Sequence, residues 1–229
     1  MNINRRKFLL RSTALSGSFL LTCYLPAARG AQGSVEISHW IVIDPDETVR
    51  IRIARSELGQ GSFTGLAMLV AEELECDWDK VRAEYADVNE HVRRNRIFGA
   101  MSTGGSRAIR DSHDYLRKAG AAARQMLVAA AAQQWSVGPG ECTVAKGVVT
   151  HHASGRSATF GKLAAAAAKQ PVPKEPKLKD PRDWQLLGTS PPRFDIPAKT
   201  TGKRCTRPMC VCLEWCTPRL CSRRYSAAS

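Results

Sequence analysis

Apolar and polar residues alternate on both sides of an Asp-Pro-Asp turn near the start of the body of this chain. In "HWIVIDPDETVRIRIA", residues 39–54, this alternation predicts two strands joined by a tight turn. Successive side chains of a strand point to opposite faces, so one set of apolar residues is expected on the covered face of a sheet. That set is Trp40, Val42, Val49, Ile51 and Ile53.

Helical spacing begins directly after Gly59-Gln60-Gly61 and predicts a helix over residues 62–74. A second helix is predicted over residues 110–135, where many alanines would let a neighbouring element approach closely. A short helix is predicted over residues 159–170, and Pro171 stops it. The apolar positions of the first helix are Leu66, Leu69, Val70 and Leu74, with Glu72, Glu73 and Glu75 on its other side.

The remaining body contains a further strand, a polar loop and a hairpin. "VRAEYADV" from Val81 is a strand candidate, "HVRRNRIFGAMSTGG" is predicted to be a polar loop, and "ECTVAKGVVTHH" predicts a hairpin that turns at Lys146-Gly147. Seven prolines between residues 171 and 203 predict an extended connector. The order of strands, glycine-rich loops and helices predicts an α+β or α/β fold, with a mixed sheet and packed helices.

The positive charge of the chain is concentrated at its two ends. The formal net charge is +13 over 229 residues, of which residues 1–33 and 199–229 together carry +11, whereas residues 34–198 carry only +2. A nucleic-acid-binding protein is expected to show a basic face on its folded body. The charge pattern therefore argues against a nucleic-acid partner.

The amino terminus has the features of an export signal. Arg5 and Arg6 precede Phe8 and Leu9, and a moderately apolar run follows from Ala14 to Leu25. This arrangement resembles a bacterial twin-arginine signal peptide, predicted over residues 1–31. The prediction places the protein in the periplasm, with membrane contact only through the signal peptide, and leads us to expect a cofactor.

Two glycine-containing loops carry the polar groups that suit a ligand. Glycine on either side of Gln60 lets backbone amides approach a ligand closely, at the amino end of the predicted helix. The second loop, from Ser102 to Arg107, offers hydroxyls, amides and a guanidinium, which suit a phosphate or a polar ring edge. Each loop alone is also compatible with an ordinary helix cap.

Taken together, these segments carry a family resemblance. "WIVIDPDETVRIRIARSELGQGSFTGLAMLVAEELECDW" and "FGAMSTGGSRAIRDSHDYLRKAGAAARQMLVAAAAQQWSV" resemble the amino-terminal part of the large, molybdopterin-binding subunit of isoquinoline 1-oxidoreductase-like enzymes in the xanthine dehydrogenase family. "GVVTHHASGRSATFGKLAAAAA" and "LKDPRDWQLLGTSPPRFDIPAKTTGK" extend this resemblance to Lys203. It implies a partial molybdopterin-binding domain over residues 34–170, followed by the connector over residues 171–203.

The resemblance also implies site residues, a cofactor and a partner. The implied cofactor is molybdopterin, in its cytosine dinucleotide form, and the implied partner is a small subunit with two [2Fe-2S] clusters. The implied reaction is hydroxylation of an N-heteroaromatic compound, or oxidation of an aldehyde, with water as the oxygen source. The implied cofactor-binding residues are Glu57, Gly59, Gln60 and Gly61 in the first loop, and Thr103, Gly104, Gly105 and Ser106 in the second.

The chain departs from this family at its carboxyl side. The family's general-base glutamate lies in a glycine-rich motif near the far carboxyl end of a much longer subunit, and no residue of this sequence takes that position. Glu57 belongs to the implied cofactor loop and Glu141 to the predicted hairpin, so neither replaces it. We therefore assign no catalytic residue and expect no catalysis by this chain alone.

The last residues contain a cysteine cluster with two interpretations. Cys205, Cys210, Cys212, Cys216 and Cys221 could hold zinc or an iron-sulfur cluster in a non-enzymatic exported protein, although no C-x2-C pair is present. Alternatively, residues 204–229 are read out of frame. The Met209-Cys210 and Trp215-Cys216 codon junctions both force valine in a neighbouring frame, where the other junctions permit a continuation of the family pattern. The out-of-frame interpretation predicts a disordered tail.

Overall fold

The structure is a computed structural model that describes residues 33–201. The predicted signal peptide and the predicted tail over residues 204–229, with their predicted disorder, lie outside the described residues. The described part combines two sheets with packed helices, which confirms the predicted fold class. In chain order its strands and helices are β1 (Val35–Ser38), β2 (Ile41–Ile43), β3 (Val49–Ile53), α1 (Ser62–Leu74), β4 (Val81–Tyr85), α2 (Val88–Arg93), α3 (Arg107–Arg110), α4 (His113–Trp135), β5 (Cys142–Ala145), β6 (Val148–His151), β7 (Arg156–Thr159), α5 (Phe160–Ala167) and α6 (Ile196–Thr200).

The first sheet contains β1, β2, β3 and β4 in that order. The first three strands are antiparallel, and β4 pairs with β3 in parallel, so the predicted mixed sheet is confirmed. A parallel neighbour requires a crossover connection, and α1 supplies it. The predicted turn joins β2 to β3, where the amide of Glu47 donates to the carbonyl of Asp44 at 3.1 Å.

The face predicted for β2 is wrong by one residue. Ile41 and Ile43 pair with core residues of β3, whereas Val42 lies opposite Arg50. All three residues of β2 are buried, so its composition contains no alternation that could show which face meets the core. Trp40 was placed correctly, since it is buried in the core.

Helices α1 and α4 pack closely, as the alanine-rich composition predicted. At Gly120 a Cβ atom would lie only 2.5 Å from the carbonyl oxygen of Val70, so the contact requires a residue without a side chain. Across the interface, the buried side chains of α4 include Ala123 and Leu127. Among residues 33–201, no helix is both long and apolar enough to cross a membrane.

The second sheet contains β5, β6 and β7, all antiparallel. The predicted hairpin turn is confirmed, since Lys146 and Gly147 have φ angles of 47° and 77°, as two-residue hairpin turns require. The amide of Gly147 donates to the carbonyl of Glu75 at 2.9 Å, which ties this hairpin to the end of α1. The sequence did not predict β7, because its residues carry no apolar alternation, but it did predict α5.

Helix α2 begins at the end of the predicted strand segment and extends into the first residues of the segment predicted as a polar loop. Asp87 caps this helix by accepting a hydrogen bond from the amide of Asn89 at 2.8 Å. The ring of His91 is buried and accepts the amide of Phe98 at 3.2 Å. The helix was missed because Val88 and Val92 are exposed, so its apolar residues do not mark a core-facing stripe.

The proline-rich segment over residues 171–201 contains no strand, only a 3-10 turn and α6. Two buried glutamates of α1 fasten it to the body. Glu73 accepts the amide of Lys179 at 2.9 Å and the guanidinium of Arg117. Glu72 accepts the ammonium of Lys179 at 2.5 Å, and also the amides of Gln185, Leu186 and Leu187 at 3.0, 2.6 and 3.0 Å.

Candidate functional site

The two glycine-containing loops meet at one open cleft of about 540 Å³. The first loop joins β3 to α1, and the second precedes α3. The cleft is lined by Leu58, Gln60, Gly61, Ser62, Gly65, Thr103, Gly104, Ser106, Arg107, Ala108 and Ile109. Of the eight residues implied by the sequence, five therefore share the cleft, while Glu57, Gly59 and Gly105 do not line it.

Hydrogen bonds hold the two loops together behind the cleft. The amide of Ser56 donates to the hydroxyl of Thr103 at 2.8 Å. The buried guanidinium of Arg55 donates to the carbonyl of Ser102 and to the hydroxyl of Ser112. Sequence reasoning missed Arg55, because an arginine at the end of a strand gives no sign that its partner is 47 residues away.

Glu57 organises the first loop by accepting hydrogen bonds from its backbone amides. One carboxylate oxygen accepts the amides of Gly59 and Gly61 at 2.7 and 2.8 Å, and the other accepts the amide of Phe63 at 2.9 Å. Its side chain is only 1% exposed. Glycine is needed at Gly59 and Gly61, whose φ angles are 116° and 82°. Glu57 thus occupies the helix-terminal amides that the sequence suggested for a ligand.

The carboxyl of Glu57 is ionised under ordinary conditions. Burial raises its pKa, but the hydrogen bonds from Phe63, Gly61 and Gly59, together with the charge of Arg193, outweigh burial and lower the pKa below its usual value. The first loop is therefore built around a buried negative charge.

Gln60 is exposed, but its carboxamide is already used within the loop. Its oxygen accepts the amide of Leu58 at 2.6 Å, and its nitrogen donates to the carbonyl of Ser56 at 3.0 Å. The same nitrogen also donates to the hydroxyl of Ser62. Gln60 therefore fixes the shape of the cleft wall.

The second loop presents unpaired backbone amides. Within the part of the chain that the structure describes, the amides of Thr103, Gly104, Gly105 and Ser106 donate to no protein acceptor. Gly104 has open space where a Cβ atom would be, and Ser106 has a left-handed φ of 54°. Successive free amides in a turn form a concave site for an anion.

The helix that follows the second loop differs from the prediction. The single turn α3 stands between this loop and the long helix α4, so the loop does not lie at the amino end of α4. Arg107, at the cleft, is more than half exposed and lies 3.8 Å from Asp111. The cleft thus has a cationic side chain beside the free amides.

Apolar side chains form the other part of the cleft. Leu58 is 75% exposed and Ile109 is 40% exposed, although both are large and apolar. Sequence reasoning did not select either residue, since an isolated leucine or isoleucine in a loop gives no functional signal. With the free amides and Arg107, they make a cleft that suits a ligand with a ring system and an anionic group.

Sequence reasoning also missed Arg193, which lies in the segment predicted as a connector. Its guanidinium donates to the carbonyl of Gly59 at 3.1 Å and to the carboxylate of Glu57 at 3.2 Å. Asp195 accepts from the same guanidinium at 2.8 and 3.0 Å. The contact joins residues 136 positions apart in sequence, which no local pattern reveals.

Among residues 33–201, no group of three or more histidine, cysteine, aspartate or glutamate side chains could hold a metal ion. His151 is buried and pairs with Ser154 and Glu141. Burial raises the pKa of the Cys76 thiol to about 12, so this cysteine is not a ready metal ligand. The cysteine cluster after Lys203 lies outside the described residues.

Several known proteins are similar to this chain, among them two relatives and one solved structure. The chain is 33% identical over 246 residues to the isoquinoline 1-oxidoreductase subunit beta of Brevundimonas diminuta, covering 90% of this chain and 31% of that protein. It is 36% identical over 177 residues to the membrane-bound aldehyde dehydrogenase [pyrroloquinoline-quinone] of Gluconacetobacter polyoxogenes, covering 74% of this chain and 22% of that protein. Quinoline 2-oxidoreductase from Pseudomonas putida 86 superposes with a TM-score of 0.43 at 17% identity, over 57% of this chain and 16% of that one.

The chain spans less than a third of the length of these two relatives. A family model described as a molybdopterin cofactor-binding domain matches residues 17–204. This range contains the whole described body, with both loops of the cleft. The chain therefore belongs to the family of molybdopterin cofactor-binding domains.

Proposed function

We propose that the cleft between the two loops binds molybdopterin, and that the chain is the amino-terminal part of the cofactor-binding subunit of an oxidoreductase. The observation that carries this proposal is the run of unpaired amides from Thr103 to Ser106, since three of these residues line a cleft that also contains the exposed apolar side chains of Leu58 and Ile109. An anionic pterin needs both kinds of surface.

The residues present fit this cofactor. The amides of Thr103, Gly104 and Ser106 and the guanidinium of Arg107 would hold phosphate oxygens, because they are free donors on an exposed turn that lines the cleft. Leu58 and Ile109 would cover the apolar faces of a ring and exclude water from it. We propose the cytosine dinucleotide form, whose two phosphates would use both sets of donors.

The proposed reaction is hydroxylation of an N-heteroaromatic compound or oxidation of an aldehyde, with water as the oxygen source. The names of the two relatives support these two substrate classes. When bound, the molybdenum cofactor supplies the redox chemistry. This chain would bind and orient the cofactor. The proposed partner is a small subunit with two [2Fe-2S] clusters.

The proposed location is the periplasm, reached through the twin-arginine signal. Arg5, Arg6 and the apolar run support it.

We also propose that residues 204–229 result from a frameshift, since the family match ends at residue 204. Sequencing the gene tests this second proposal: an alternative frame that continues the family pattern supports it, and a frame interrupted soon after codon 204 contradicts it.

Substitution at Gly104 tests the cofactor site. Gly104→Asp adds a negative charge beside the free amides at a position with open space and an ordinary φ, so the fold should be unchanged. Gly140→Asp is the matched control, since Gly140 also has open space but does not line the cleft. We expect Gly104→Asp to weaken binding of isolated molybdopterin cofactor to the purified chain by roughly tenfold.

The binding assay measures the fluorescence of the oxidised pterin after the protein is separated from free cofactor. Unchanged binding by Gly104→Asp, or equal losses in both variants, would contradict the proposed site. Pyrroloquinoline quinone serves as a second probe, because one relative carries that name. Its binding in the cleft in place of molybdopterin would overturn the cofactor assignment.

A further inference from the structure

Arg193 contacts the first loop from a distant part of the chain. We infer that Arg193 is a positioning residue that holds the Glu57 carboxylate, and through it the loop of residues 57–63, in the shape that receives the ligand. The inference rests on the proposed function, since it names what keeps that same site formed. It makes the proline-rich segment part of the binding site's support.

The contacts of Arg193 are directed at the loop. One terminal nitrogen donates to the carbonyl of Gly59 at 3.1 Å, and the other donates to the Glu57 carboxylate at 3.2 Å. That same carboxylate oxygen accepts the amides of Gly59 and Gly61. Arg193 therefore contacts both a backbone carbonyl of the turn, that of Gly59, and the carboxylate of Glu57 that accepts the turn's amides.

Asp195 orients the guanidinium of Arg193. Its carboxylate is 0% exposed and accepts from Arg193 through both oxygens, at 3.0 and 2.8 Å. A planar guanidinium held in this two-point manner has a fixed orientation, which a lysine could not reproduce. Lys199 donates to the same carboxylate and supplies a second positive charge.

The segment around Arg193 is anchored independently of Arg193. The amide of Phe194 donates to the hydroxyl of Thr64 at 3.1 Å. The ring of Phe194 stacks on Trp78, with ring centroids 4.9 Å apart. Removal of the guanidinium should therefore leave the segment docked, and its effect should fall on the loop and on Asp195, which keeps its contact with Lys199.

The loop depends on Arg193 because the Glu57 charge is almost fully removed from water. A buried carboxylate needs hydrogen bonds and an opposite charge, and Arg193 is the cation that contacts Glu57 in the described part of the chain. Without Arg193, the free energy of the conformation in which the Glu57 carboxylate is buried is higher. The amides of Gly59, Gly61 and Phe63 would then lose their common acceptor more often.

The test compares Arg193→Gln with Arg182→Gln in the 229-residue chain. Arg182 is an exposed arginine of the same segment. Its backbone amide donates to Asp180, but its guanidinium makes no hydrogen bond within residues 33–201. We expect Arg193→Gln to speed amide hydrogen exchange at residues 59, 61 and 63 by roughly tenfold, with exchange in α4 unchanged. Arg193→Lys should restore part of the protection, and Arg182→Gln should behave as the unaltered chain does.

A double variant separates action through Glu57 from general loosening. If Arg193 works through Glu57, adding Arg193→Gln to Glu57→Gln should produce little further increase in loop exchange. Binding of isolated molybdopterin cofactor should fall roughly three- to tenfold in Arg193→Gln. Unchanged loop exchange, increases spread over the whole chain, or additive effects in the double variant would overturn the inference. Failure of the unaltered chain to bind the cofactor would instead overturn the proposed function, while the exchange result would still judge Arg193.

Discussion

Glu57 keeps its negative charge in the folded chain because three amides and one guanidinium surround it. The sequence indicated that this residue belongs to a functional loop. It could not indicate that the side chain turns inward, because that orientation depends on glycine φ angles and on an arginine 136 positions away. The cleft is lined by other residues of the two loops, such as Gln60 and Thr103, and not by Glu57.

We predict that protection of the loop amides decreases at acid pH. The folded-state pKa of Glu57 is lowered, so its contribution to stability is fully present above the unfolded-state pKa, about 4.3, and is lost as pH falls through the lower folded-state pKa. Amide exchange at residues 59, 61 and 63, measured as a function of pH and corrected for intrinsic rates, reports this loss.

Glu57→Gln is the control for the pH experiment. We expect it to destabilise the chain by about 1–3 kcal/mol at neutral pH, because a charged acceptor of three amides becomes a neutral one. It should also remove the additional acid sensitivity of the loop. Persistence of the same pH dependence in Glu57→Gln would show that another group causes it.

Apolar periodicity predicted the long helices well. Leu66 and Leu127 lie in the core, and the small residues of α4 allow the approach to α1. Periodicity failed where an element is short or uniformly apolar. The register of β2 could not be predicted, since all its residues are buried, and β7 has no apolar pattern at all.

Gly120→Ala tests the contact between α1 and α4. The added methyl group would lie 2.5 Å from the carbonyl oxygen of Val70 and 3.0 Å from the Cβ atom of Glu73, so the helices must separate. We expect a loss of about 1–3 kcal/mol in the free energy of unfolding, although alanine favours helix formation. Chemical denaturation measures this loss. Gly140→Ala, which meets open space, should leave stability nearly unchanged, and an equal loss in both would contradict the packing argument.

Glu72→Gln tests how the proline-rich segment is fastened to α1. The buried carboxylate accepts three consecutive amides and the ammonium of Lys179, and a carboxamide cannot match these charged interactions. We expect a loss of about 1–3 kcal/mol in the free energy of unfolding. Trypsin should also cleave faster at Lys177 and Lys179. Glu175→Gln is the control because Glu175 is exposed on the same segment, and equal cleavage of the two variants would refute the fastening role.

The sequence singled out the two loops that meet at the cleft, but not the segment that supports them. The charge pattern marked the body of the chain, residues 34–198, which carries a net charge of only +2. The glycine positions marked its two loops. The return of residues 179–195 to α1 and to the first loop could not be predicted, because prolines exclude regular structure without telling where a chain segment docks. The cleft is thus lined by two parts of the chain and supported by a third.

Amide hydrogen exchange with and without isolated cofactor tests whether the cleft between the two loops holds molybdopterin. We predict that the cofactor slows exchange at residues 103–106, whose amides have no acceptor within residues 33–201, and leaves the β5–β6 hairpin unchanged. Protection that is absent from residues 103–106, or that appears only elsewhere in the chain, would contradict the claim.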